Sequence, residues 1–260
     1  MQVFSGPSNC KLGGLAHAND DPVSPLITTT EHLCGKWRTL FLRRNSAGKL
    51  EVVQSLVIKE TLYANHETLV AYCNWVTFAL SHEGNLLCAI RGSKCLHEFC
   101  CAPSASRFPF EDTPRKHPLS NTVRCICGLQ SINEFRLVAS FIDNIIRVFR
   151  LAGGALAELQ RITPPQSTWT PYTLVALPGG SLIVDSGFTD PLDLKGKQGI
   201  ECCATNSDGT LSPPKRLFAQ DLSLWLWGLL PPTEAFPTYR LVVNNDNSEL
   251  CLYSIKSQYS

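Results

Sequence analysis

Arg136-Leu-Val-Ala-Ser-Phe-Ile-Asp-Asn-Ile-Ile-Arg-Val-Phe-Arg-Leu151 is two apolar runs around a polar break. Arg240-Leu-Val-Val-Asn-Asn-Asp-Asn-Ser-Glu-Leu-Cys-Leu-Tyr-Ser-Ile255 aligns with it without a gap. Each reads as strand, tight turn carrying Asp-Asn, and a second strand ending aromatic-x-aliphatic. The two start 104 residues apart, at 136 and 240, which is twice 52. Self-similarity at such a period is the mark of a repeat architecture.

Two further patterns extend the period. A turn followed by Leu appears at Asn45–Leu50, Ala152–Leu156 and Asn206–Leu211, with the leucines 106 and 55 residues apart. A strand that ends in a Gly turn and re-enters an aliphatic run appears at Val76–Ile90 and Tyr172–Val184. Together they define a four-strand unit, a-b-c-d. Strand a falls near 75–81, 122–129, 172–177 and 222–230, and strand b near 85–91, 135–141, 181–186 and 238–244. Strand c falls near 36–44, 94–101, 145–151, 199–205 and 249–255, and strand d near 49–58, 106–111, 155–162 and 210–218. In the first unit, a is expected near 13–17 and b near 26–33; a helical turn is plausible only within Lys59–Leu69.

A lone four-stranded sheet buries too little surface to stand alone, whereas stacked sheets bury both faces. That explains continuous aliphatic runs such as Leu182-Ile-Val184 where strict alternation would mark a half-exposed strand. The expected fold is all-β, a β-propeller of four-stranded antiparallel blades. Five blades are expected in a single domain, 1–260, with residues 102–119 as a Pro-rich loop insertion. The last unit stops at strand c, so the N-terminal strand Gln2–Ser5 is expected to complete it.

The unit resembles two propeller families. Ser140-Phe-Ile-Asp-Asn-Ile-Ile-Arg-Val-Phe149 is similar to the b–c hairpin of a WD repeat, with Asp143 at the turn. Ile146–Ile162 is similar to the c–d hairpin of lactonase-type, YVTN-like propellers. The Gly-His and Trp-Asp dipeptides of good WD repeats are absent. The lactonase resemblance implies hydrolysis of a sugar lactone, but it carries over no catalytic set residue by residue.

Composition closes several doors. The 23 Lys+Arg against 22 Asp+Glu leave no basic footprint for generic nucleic-acid binding. The opening run MQVFSGPSNCKLGG lacks the basic and apolar regions of a signal peptide. The longest apolar run, Leu222–Leu230, is too short to span a membrane. A cytoplasmic or nuclear location is therefore expected, with the 12 Cys as thiols. No CxxC pair exists, and Cys95, His97, Cys100 and Cys101 have the spacing of strand residues that diverge to both faces. Neither metal nor cofactor is expected.

No G-x-S-x-G, H-E-x-x-H or phosphate loop is present. His82 beside Glu83, and the acids Asp185, Asp190, Asp193 and Asp208, read as solvated turn and loop residues. The aromatics say more, because strand a lines the axis of a propeller. Trp75, Trp169, Tyr172 and Trp225 fall at the start of an a strand, and Arg124 holds the matching place in the third unit. Trp, Tyr and Arg dominate binding hot spots when exposed. When buried, they pack between blades. The leading expectation is a non-enzymatic scaffold that takes a protein or peptide partner on one face near the channel. The alternatives are a lactonase-type hydrolase acting at the channel and a carbohydrate-binding propeller.

Overall fold

Short aliphatic runs punctuated by Gly and Asx turns form strands, and among the described residues of this computed structural model every regular element is a strand. The structure describes residues 11–12, 16–17, 27–33, 36–58, 76–81, 83–101, 109–130, 134–163, 169–177, 179–188, 199–217, 224–230, 232, 234–245 and 250–255. The strands fall into five sheets. The first holds β1 (Lys11–Leu12), β2 (Ala16–His17), β3 (Ile27–Leu33), β4 (Lys36–Arg44) and β5 (Leu50–Ile58). The second runs in order β6 (Val76–Leu80), β7 (Leu86–Ile90), β8 (Cys95–Phe99) and β9 (Arg115–Pro118). The third is β10 (Val123–Gln130), β11 (Phe135–Phe141), β12 (Ile146–Ala152) and β13 (Ala155–Ile162). The fourth is β14 (Trp169–Ala176), β15 (Leu182–Phe188), β16 (Gly199–Cys203) and β17 (Lys215–Arg216). The fifth holds β18 (Leu224–Leu230), β19 (Tyr239–Asn245) and β20 (Leu250–Ile255).

These are antiparallel meanders of the propeller type, as the repeat requires. Strands b and c, and strand a from the second unit on, stand where the period places them; in the first unit, where a was expected near 13–17, β1 and β2 both pair with β3, and residues 13–15 lie outside the described residues. One d strand differs: it was expected at 106–111 and lies at Arg115–Pro118, inside the expected insertion. The run Arg-Lys-His-Pro carries no apolar residue, so hydrophobic alternation cannot find it. The expected closing strand Gln2–Ser5 and the expected turn at 59–69 lie outside the described residues. Among the described residues no helix is long and apolar enough to cross a membrane.

The protein divides into two compact units, Met1–Ile126 and Cys127–Ser260. In the first, Phe41, Leu56 and Ile58 pack with Leu86, Cys88, Ile90, Phe99 and Phe110. The Phe41 and Phe110 rings lie 5.3 Å apart. In the second, Ile183 and Ile200 pack with Leu226, Leu241 and Val243. Burying each such side chain contributes about 1.5–3 kcal/mol.

Polar joints between neighbouring sheets recur in the two units. The Gln54 side-chain amide donates to the Phe110 carbonyl at 2.6 Å and accepts from the Phe110 N–H at 3.1 Å. Gln160 treats Leu211 in the same way, at 2.7 and 2.8 Å. Each glutamine follows a register shift in the outer strand, opposite Phe41 and Val148 respectively. The a–b turns match too. Ser81 N–H donates to the Asn85 carbonyl and Leu177 N–H to the Ser181 carbonyl. Their glycines, Gly84 and Gly180, adopt φ of 82° and 93°, which a side chain would disfavour. Cys101 Sγ donates to the Gly84 carbonyl and Thr205 Oγ1 to the Gly180 carbonyl.

Candidate functional site

The repeat supplies its own reference for finding departures. In the second sheet Ala89 stands opposite Thr77 and Leu96. The same register place in the fourth sheet, opposite Thr173 and Ile200, is held by Asp185. In the third sheet that place, one residue before the b–c turn and opposite Ile146, is held by Ser140, which is buried. A carboxyl thus occupies a place that the second and third sheets give to small uncharged residues, and only 1% of it is exposed.

One Asp185 oxygen, Oδ2, accepts the Leu226 N–H at 3.2 Å. The other, Oδ1, has no hydrogen-bond partner among the described residues. The bond to Leu226 is a sheet-to-sheet joint that a neutral hydroxyl makes elsewhere: Thr77 Oγ1 accepts the Ile126 N–H at 2.9 Å. The joint therefore does not need an acid. Burial pushes the Asp185 carboxyl up to about 7, the Leu226 N–H pulls it back, and Glu201 adds to the rise. Asp185 was expected to be a solvated carboxylate, and the structure corrects that: it is a strand residue turned into the sheet stack. Asp208 is the exposed turn acid that was expected, bonded to Thr210. Asp190 and Asp193 lie outside the described residues.

Beside it, on the opposite face of the sheet, lies a polar row. Trp169 Nε1 donates to Glu201 Oε2. Glu201 stands opposite Val184 and Arg216. Burial raises the Glu201 carboxyl, against hydrogen bonds from Trp169 and Ser186 and the charge of Arg216. Gly199 leaves room in this row: a Cβ there would come within 3.4 Å of the Arg216 guanidinium.

A second polar centre lies in the second sheet. Glu98, 1% exposed, accepts from Asn85 Nδ2 at 2.8 Å through Oε1. Its Oε2 lies 2.8 Å from His117 Nε2 and accepts from Arg115 Nη1 at 3.4 Å. Among the described residues no group of three or more His, Cys, Asp or Glu side chains is arranged to hold a metal ion. No disulfide joins the nine described cysteines, and burial pushes Cys203 up to about 12.

The residues singled out as channel-mouth candidates are placed as follows. Trp169 is 1% exposed and bonded to Glu201, so it is a packed residue and no surface anchor. Tyr172 is half-buried, with its ring over Gly187. Arg124 is a half-buried residue of β10 in the first unit. Trp225 belongs to β18, opposite Asn244, with its side chain outside the described set. Trp75 is also outside it. Glu201 and Glu98 were not singled out from sequence. The signal that could have found Asp185 was its misfit with Ala89 once the units were aligned by their turns.

A Cβ at Gly187 would stand 2.6 Å from Cε2 of Tyr172. Gly187→Ala should therefore force the ring aside and lower stability by about 1–3 kcal/mol. A thermal melt checks this; an unchanged midpoint would mean that the ring yields without cost.

No family model and no curated protein matches the sequence. Solved structures do. A candidate 6-phosphogluconolactonase from Bacteroides uniformis superposes with TM-score 0.55 at 13% identity, over 87% of this chain and 66% of its own. A candidate 6-phosphogluconolactonase from Bacteroides fragilis gives 0.52 at 12%, over 96% and 81%. A Lactobacillus plantarum protein gives 0.55 at 10%, over 97% and 86%. The chain thus spans slightly under two thirds of the Bacteroides uniformis protein. These likenesses establish the fold. They also correct the expectation of a non-enzymatic scaffold, because the two of these three that carry a named activity are candidate 6-phosphogluconolactonases, on the side of the alternative.

Proposed function

We propose that the protein is a lactonase-type hydrolase of sugar lactones and that Asp185 is its proton-handling group. The observation that carries this is a buried carboxyl, with one oxygen unpartnered among the described residues, at a place that two other sheets give to Ala89 and Ser140. Acids perturbed by burial beside a second carboxyl cluster at functional sites.

The chemistry asks for one group that both takes and returns a proton. Water adds to the lactone carbonyl and loses a proton to the carboxylate. The ring C–O bond then breaks, and the departing ring oxygen collects that proton. A group near pH 7 is half ionised at neutrality and serves both steps. Glu201, itself raised by burial, adds to the rise of Asp185 from the opposite face of the sheet.

The test follows acid release from glucono-1,5-lactone and from its 6-phospho ester, against a protein-free blank. Wild-type protein should exceed the blank with at least one of them, and Asp185→Asn should lose about 100-fold or more. The wild-type kcat/KM should climb with pH through about 7 as the base ionises. A wild-type rate equal to the blank with both lactones would sink the lactonase reading. A full rate in Asp185→Asn would sink the role of Asp185 alone.

A further inference from the structure

We propose that Glu98 is the lock of a strap: residues 111–118, ending in β9, are seated on the second sheet, beyond their backbone bonds to β8 and Cys100, through this buried carboxylate, and detach from it as a unit while the sheet stays folded. The comparison of outer strands carries the inference. Of the longer outer strands, β5 is seated by Leu56 and Ile58, and β13 by Ile162, all buried, while the two-residue β17 is exposed throughout. In β9, Arg115, Lys116 and Pro118 are exposed, and the one buried residue is His117. His117 reaches Glu98 and packs through that polar contact, with Arg115 on the same oxygen.

The strap has a firm anchor at each end. Before it, Phe110 is buried and clasped by Gln54. After it, Leu119 is buried, and its N–H donates to the Lys94 carbonyl at 2.8 Å. Between them, residues 111–113 are exposed and Pro118 brings no N–H to the ladder. The lock itself stays put when the strap leaves, because Asn85 holds the other Glu98 oxygen. Segments with few buried apolar contacts are the ones that open locally, below the free energy of global unfolding. Departure of β9 bares the outer edge of β8, a row of backbone donors and acceptors able to seat another extended segment.

Limited trypsin digestion with mass mapping reads the device, since Arg115 and Lys116 are cleavage points within the strap. In Glu98→Gln only one acceptor oxygen remains for Asn85 on one side and for His117 and Arg115 on the other, and the negative charge facing Arg115 is gone. Cleavage after Arg115 and Lys116 should quicken at least tenfold, while cleavage after Arg136 and Arg150 keeps its wild-type rate. The double variant Arg115→Ala/His117→Ala, which leaves Glu98 in place, should loosen the same segment, followed by amide exchange at residues 116 and 117. It serves if Glu98→Gln does not fold. Equal acceleration at every site, or none at the strap, would overturn the lock.

Discussion

Asp185→Asn should melt above the wild type at pH 8 and at or below it at pH 5. In the folded protein the carboxyl titrates at about 7, against 3.8 as the ordinary value. Between those values the unfolded state has lost the proton and the folded state keeps it. Folding then takes up a proton, so stability falls as pH rises from about 4 to 7 and levels off above. A displacement of this size corresponds to about 4 kcal/mol at full effect. Asparagine keeps the acceptor for Leu226 N–H and has no charge to bury. Its amide N–H groups take the place of the unpartnered Oδ1 and cost about 1–3 kcal/mol unbonded. The two effects oppose each other, and only one depends on pH, so the melting curves of the two proteins should cross between pH 5 and 8. Parallel curves would mean that Asp185 titrates normally and has no special role in proton transfer.

Gln160→Leu and Gln54→Leu should each lower stability by about 2–4 kcal/mol. The leucine keeps the bulk of the side chain and removes both hydrogen bonds at once. That strands a backbone N–H and a backbone carbonyl, each worth about 1–3 kcal/mol when buried without a partner. In a protein of this size the midpoint should drop by about 5–10 °C for each variant. The two clasps share no residue, so the double variant should show the sum of the single losses. Midpoints within a degree of wild type would show that water replaces the clasps without cost.

The strands were legible to the extent that burial shaped them. β11, β12 and β19 present aliphatic runs between turn residues, and their places follow from the repeat. β9 was not legible, because it is seated by Glu98 and not by an apolar face. The candidate site was harder still. Asp185 ends the run Leu-Ile-Val beside Ser186 and Gly187, which looks like a strand giving way to a loop. The strand continues to Phe188, and what turns Asp185 inward is its register against Thr173 and Ile200. Side-chain direction in a strand depends on pairing, and pairing is long-range. Trp169 shows the same limit: its place at the start of an a strand was correct, and its burial against Glu201 required the neighbouring strands.

The glutamine clasps read only the backbone. One grips Phe110 and the other Leu211, residues unlike in shape, through the same N–H and carbonyl groups. A joint of this kind sets no demand on the identity of the residue it holds. Successive copies of the unit are then free to drift apart in sequence while their seams keep one geometry. A protein assembled in this way can keep the shape of others with which it shares 10–13% of its residues.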